Sequence, residues 1–182
     1  MALKATIFRA NIAIADMDRH YYQDHTLTIA RHPSETDERM MLRILSFGLF
    51  AHERLEFTKG LSTDNEPDLW QKSLTGDIEH WIDLGQPDDK RIRIACGRAQ
   101  KVSIICYSGN SAAIWFKKLN GALSRFKNLQ IINIDHPSSQ EIARLAERKM
   151  TLQIAIDDGL LSISNEQKIL NVSPQQWYPS NH

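Results

Sequence analysis

Little in this chain of 182 residues departs from balance. Only two cysteines occur, Cys96 and Cys106, with no Cys-x-x-Cys spacing, so zinc ribbons, thiol redox motifs and a disulfide framework are absent. Both read as core residues. Neither charge sign is in excess: 22 Lys and Arg face 22 Asp and Glu. A neutral total argues against a protein that coats nucleic acid by bulk charge, while leaving room for a local basic patch. No apolar run approaches the roughly 20 residues that a membrane span needs. The start, Met1-Ala2-Leu3-Lys4-Ala5-Thr6, lacks the basic and apolar regions of a signal peptide, so a cytoplasmic location is expected. Gly-x-Gly-x-x-Gly, the P-loop, Gly-x-Ser-x-Gly and His-Glu-x-x-His are all missing, and the seven histidines are scattered.

What is present suits one domain, residues 1–182, large enough to bury its own core. Lys4 to Ala15 and Tyr21 to Ala30 alternate as strands around the turn-forming Asp16-Met17-Asp18-Arg19, which predicts an opening β-hairpin. Ser34 is the expected N-cap of a helix reaching about His52, with Met41, Leu42, Leu45 and Leu49 at helical spacing. That stripe extends back to Glu38 and Glu35, which need partners if buried. Glu53 to Leu61 and Leu69 to Gln71 read as short strands, with a polar turn at Ser62-Thr63-Asp64-Asn65. Pro87 then opens a helix with Ile92, Ala95, Cys96 and Ala99 inside, and with Lys90, Arg91, Arg93 and Arg98 on its other face. These cations either meet phosphates or form an ordinary solvated face. Val102 to Tyr107, a helix over about Ala112 to Phe126, and Leu129 to Ile134 form a strand–helix–strand unit, expected to be parallel and right-handed. A helix from Ser138 to about Arg148, a hairpin turning at Asp157-Asp158-Gly159, and a tail packed by Trp177 complete the reading.

The chemistry concentrates between Glu66 and Pro87. Strict alternation over Ile78 to Leu84 places Glu79, Trp81, Asp83 and Gly85 on one face, and Ile78, His80, Ile82 and Leu84 on the other. A Pro-Asp pair, Pro67-Asp68, stands a short distance before this strand, and two carboxylates converging at a sheet edge, with a third from elsewhere, can hold a hard cation such as Mg²⁺, which activates water for phosphodiester hydrolysis. Acids on a surface strand beside turn chemistry are the competing reading. Trp70 and Trp81 either stack on a base or fill the core.

Taken together, several segments resemble the YaeQ family of bacterial proteins. They are Met1-Ala2-Leu3-Lys4-Ala5-Thr6-Ile7, Ala30-Arg31-His32-Pro33-Ser34-Glu35-Thr36, Glu38-Arg39-Met40-Met41-Leu42-Arg43, Glu66-Pro67-Asp68-Leu69-Trp70, Trp81-Ile82-Asp83-Leu84-Gly85 and Met150-Thr151-Leu152-Gln153. The resemblance implies an α/β fold, a mixed β-sheet flanked by helices with a restriction-endonuclease-like PD-(D/E)XK core and added β-hairpins. It carries Glu38 to the helix acid, Asp68 to the Pro-Asp aspartate and Asp83 to the strand acid, with Glu66 or Glu79 as a substitute ligand. The sequence departs where that pattern has lysine: Gly85 stands there, Gln86 follows, and Lys72 or Lys90 lies outside the motif. The expectation is a Mg²⁺-dependent phosphodiesterase acting on DNA or RNA. Asp68, Asp83 and Glu66 would hold metal with help from Glu38, Gln86 would orient water, and Lys90, Arg91 and Arg93 would bind phosphate. The alternative is an inactive nuclease-fold protein that binds nucleic acid or a protein partner, its carboxylates paired with Arg39 and Arg91.

Overall fold

The computed structural model describes residues 4–59 and 65–180. The chain divides into two units, one from Met1–Ala51 with Pro137–Pro174 and the other from His52–His136 with Gln175–His182. The polar turn expected over Ser62 to Asp64, and Gly60, the expected end of a strand, lie outside the described residues. Two mixed sheets are found where a single sheet was expected.

In the first unit, β1 (Thr6–Asp16) and β2 (Tyr21–Arg31) form the expected antiparallel hairpin. Phe8, Ala10, Ile12 and Ile14 are buried, and the residues between them face solvent or are half-buried. β8 (Lys149–Asp157) joins β1 in parallel, then pairs with β9 (Leu160–Ser164), which pairs with β10 (Ile169–Val172). The order is β10-β9-β8-β1-β2. Asp158 and Gly159 take positive φ of 51° and 73° in the β8–β9 turn. The Asp18 carboxylate accepts from both of their backbone N–H groups, at 2.8 and 2.9 Å.

Helix α1 (Asp37–Leu49) is capped by Thr36, whose hydroxyl accepts from the Arg39 N–H at 3.1 Å. Ser34, the expected cap, instead lies in a turn with His32, where Glu35 N–H reaches the His32 carbonyl at 2.9 Å. Every residue from Met40 to Gly48 is buried. Gly48 allows a close approach to β8, since a Cβ there would stand 2.4 Å from Ile154 Cδ1. The burial carries an ion pair inside. Arg43 grips Glu35 through Nε and Nη2 at 2.7 and 2.8 Å, with both side chains 3% exposed, and its Nη2 also donates to the Ala30 carbonyl. Helix α4 (His136–Ala143) is shorter than expected, because i to i+3 bonds at Arg144, Leu145 and Ala146 tighten the chain into a turn before β8.

The second unit holds β3 (Leu55–Phe57), β4 (Leu69–Lys72), β5 (Ile78–Leu84), α2 (Asp89–Arg98), β6 (Ala99–Cys106), α3 (Asn110–Leu119), a 3₁₀ segment (Asn120–Arg125), β7 (Leu129–Asn133) and β11 (Gln175–Tyr178). The sheet order is β11-β7-β6-β5-β4-β3, with β5, β6 and β7 parallel. The strand–helix–strand reading thus stands, although α3 ends early at Asn120-Gly121, where helix propensity is low. The expected tail is an added strand, β11, antiparallel to β7, with the Trp177 ring 5.2 Å from Phe116. Trp81, Val102, Ile104, Cys106, Leu129 and Ile131 pack with Ile92, Ala95, Ala112 and Leu123 in one apolar cluster. Trp81 is a fully buried core residue. Both thiols are buried or half-buried and pushed up, Cys96 to about 11 and Cys106 to about 12, as desolvation disfavours the thiolate.

The Glu35–Arg43 pair yields a stability prediction. Arg43→Met leaves Glu35 as a buried carboxylate without its main partner and should cost about 3–5 kcal/mol in urea unfolding. Adding Glu35→Leu should restore most of that loss.

Candidate functional site

β5 is buried on both faces, so the expected division into a core face and an open acidic face does not hold. β5 lies between antiparallel β4 and parallel β6, and β6 between parallel β5 and β7, so both are interior strands, and such strands are covered on both sides. Asp83 is therefore only 3% exposed. A buried carboxylate needs donors, and the local sequence supplies them. Trp81, two residues back on the same face, donates its indole N–H to Oδ2 at 3.0 Å. Arg91 donates Nε–H to Oδ2 and Nη2–H to Oδ1, each at 2.9 Å, in the two-toothed geometry that makes Arg–carboxylate pairs strong. Arg91 is aimed by the start of α2, where Asp88 caps the helix by accepting the Arg91 backbone N–H at 2.8 Å. Its Nη2 also donates to the Glu66 carbonyl at 2.8 Å.

Burial pushes the Asp83 carboxyl above its ordinary value. Arg91 and the Trp81 N–H pull it back, and the nearby charge of Asp68 adds to the rise. Asp68 is itself buried, immediately before β4, and its Oδ2 accepts the Leu84 backbone N–H at 2.8 Å. A side chain thereby takes up a donor where the strand ends and Gly85, at φ 96°, turns the chain away.

The remaining candidates are dispersed. Gln86 is exposed and bonds Ser111 at 2.9 Å. Glu66 is half-buried and offers Arg91 its carbonyl. Glu38 belongs to the first unit, where its Oε1 accepts from Ser139 at 2.6 Å. Glu79 pairs with Arg54 at 2.7 Å and accepts from Gln71. Lys72 lies 3.7 Å over the Trp70 ring. Arg93 pairs with Asp89 at 2.6 Å, and Arg125 takes the other oxygen of that carboxylate at 2.7 Å. Lys90 is exposed and lines a cleft of about 510 Å³ with Asn65, Asp88, Arg91 and Ile94. Among the described residues, no three His, Cys, Asp or Glu side chains are grouped to hold a metal ion. Among them, too, no helix is long and apolar enough to cross a membrane.

The same fold recurs in known proteins. The YaeQ protein family model matches residues 1–174. This chain belongs to the YaeQ family. It is 42% identical to the uncharacterized YaeQ protein of Escherichia coli strain K12 over 177 residues, spanning 97% of this chain and 98% of that protein. The crystal structure of the YaeQ protein from Xanthomonas axonopodis pv. citri matches with a TM-score of 0.92 at 45% identity, over 95% of this chain and 98% of that one. The YaeQ protein from Pseudomonas syringae gives the same TM-score at 31% identity, over 97% of each chain. The fold described above is therefore shared by solved YaeQ structures.

Sequence reasoning assigned Arg91 to phosphate and did not foresee the buried His80–Ser103–Gln130 ladder across β5, β6 and β7. There the His80 Nε2 lies 2.7 Å from the Ser103 hydroxyl, which accepts from Gln130 at 2.6 Å. The signal available was Ser103 within the apolar run from Val102 to Cys106 and Gln130 ahead of Ile131 and Ile132.

The Asp83–Arg91 pair has a testable pH signature. A carboxyl whose folded value is raised binds its proton more tightly folded than unfolded. Its stabilising contribution is complete below the unfolded value and is lost as pH rises through the folded one. Arg91→Met removes a group that holds the value down. The Asp83 carboxyl ¹³C midpoint should move further up, and the urea midpoint should fall below wild type by more at pH 7 than at pH 4.

Proposed function

We propose that this chain acts by binding nucleic acid on a nuclease-like fold whose hydrolytic chemistry is closed off by Arg91. The order α1, β3, β4, β5, α2, β6 and the position of Pro67-Asp68 beside β5 support the nuclease-like reading. A single observation carries the rest: both oxygens of Asp83 are held by the Arg91 guanidinium. A divalent cation needs those oxygens as ligands, and a guanidinium in their place leaves the donor set unfit for it. The position where a lysine would steady charge is Gly85, and Gln86 is turned to Ser111.

A second reading, Mg²⁺-dependent hydrolysis of DNA or RNA, is favoured by the closeness of Asp68 to Asp83, whose charges oppose each other. It requires Arg91 to leave Asp83, so that Asp68, Asp83 and Glu66 turn to metal with Gln86 in support.

Calorimetric titration with Mg²⁺ and Mn²⁺, together with cleavage assays on labelled DNA and RNA oligonucleotides, separates the two. The binding reading expects no saturable metal heat at millimolar concentration and no cleavage. Saturable binding and cleavage that Asp83→Asn abolishes, in a variant still folded by circular dichroism, would establish the hydrolytic reading instead.

A further inference from the structure

The basic residues of α2 are largely occupied: Arg91 by Asp83 and Arg93 by Asp89. The first unit has cations that are not. Parallel pairing sets Arg9 of β1 beside Lys149 of β8, and both are exposed. Between them lies one interstrand spacing, about 4.8 Å. Arg148, also exposed, stands at the rim, its Nε donating to the Ile7 carbonyl at 3.0 Å and its guanidinium over the Phe8 ring. Among the described residues, none of these three is in an ion pair.

The outward rows of this sheet continue in a definite order. Thr28 is opposite Arg9 on β2, and the next outward position carries Thr26, Asn11 and Thr151 side by side. All four are exposed. Hydroxyl and amide side chains beside Arg and Lys are the usual donors to phosphate and sugar. Farther along come Ala13, Ala15 and Ala155, which leave the face low. β2 then presents Tyr22, 58% exposed, on the same face. Six residues of strand separate Tyr22 from Thr28, about 20 Å, a span that takes a few nucleotides of an extended single strand. Asp24 lies between them, Glu147 precedes Arg148, and the exposed Asp157 follows Ala155 on the outward row of β8.

Resting on the binding reading above, we infer that the open face of the β2-β1-β8 sheet binds single-stranded nucleic acid, with the backbone on Arg9 and Lys149 and a base on Tyr22. Cations at one end, neutral donors along the path and an exposed aromatic at the other match the combination of charge and stacking by which single strands are held.

Fluorescence anisotropy of labelled dT20 and U20 with the full chain, at 50 and 200 mM salt, tests this. Arg9→Ala/Lys149→Ala should weaken binding about tenfold at low salt and flatten the log–log salt slope by about 1.4, the share of two single-strand phosphate contacts. Tyr22→Ala should weaken it by about five- to a hundredfold at both salts, because stacking is not screened. All three positions are exposed, and circular dichroism would verify folding. If wild type binds and only Lys90→Ala/Arg93→Ala weakens it, this surface is wrong while the binding reading stands. If wild type binds neither oligonucleotide, or binds only phosphatidylserine vesicles, both fall.

Discussion

The contact on which the second unit depends is the closure of the Arg91 guanidinium over the Asp83 carboxylate. Asp83 sits in an interior strand, where an unpaired charge would cost several kcal/mol. One side chain answers that need while joining three parts of the chain: β5 through Asp83, the first turn of α2 through Asp88, and the segment before β4 through the Glu66 carbonyl. A leucine pair of similar volume would satisfy hydrophobicity equally well. It would not fix the direction of α2, because apolar contact has no preferred geometry and a guanidinium fork does.

The first unit repeats the principle with Glu35 and Arg43, both fully inside, whereas Arg91 reaches its buried carboxylate from the half-exposed start of α2. A chain of zero net charge can still be strongly polarised in function if its charges are sorted by burial. The acids that look most like ligands are turned inward and satisfied, whereas Arg9, Arg148 and Lys149 remain in solvent. On the outward face of the first sheet a partner would meet Arg9, Lys149, Asn11 and three threonines beside Asp24, a local balance that the total charge conceals.

Elements set by local pattern were readable from the residues. The alternation of Phe8, Ala10, Ile12 and Ile14 gave the first hairpin, and the apolar run at Val102 to Cys106 gave an interior strand. Boundaries set by competition between neighbouring groups were less visible: Ser34 and Thr36 are both good caps, and the turn at Pro33 decided for Thr36. β11 was hidden because Gln175 and Gln176 carry no strand signal, and its pairing with β7 is a tertiary choice. The division into two sheets was also out of reach, since nothing near β8 announces that its partner is β1. Of the candidate site, the approach of Asp68 to Asp83 was legible in the Pro-Asp and strand spacing. The capture of Asp83 by Arg91 was legible only as an alternative, because eight residues of turn and helix had to be folded before the fork could be aimed.

The parallel pairing of β1 with β8 has a consequence in time. β1 leaves the ribosome well before β8 and meets it only after Lys149–Asp157 has been made, and the carboxylate of Asp18 waits equally long for the backbone of Asp158 and Gly159. Throughout that interval the hairpin of β1 and β2 has an open edge and an uncovered row of isoleucines. All of the second unit's strands but β11 are synthesised meanwhile. In the living cell, the first unit of this protein is therefore begun first and finished late, and its exposed edge is the stage at which a chaperone would have most to hold.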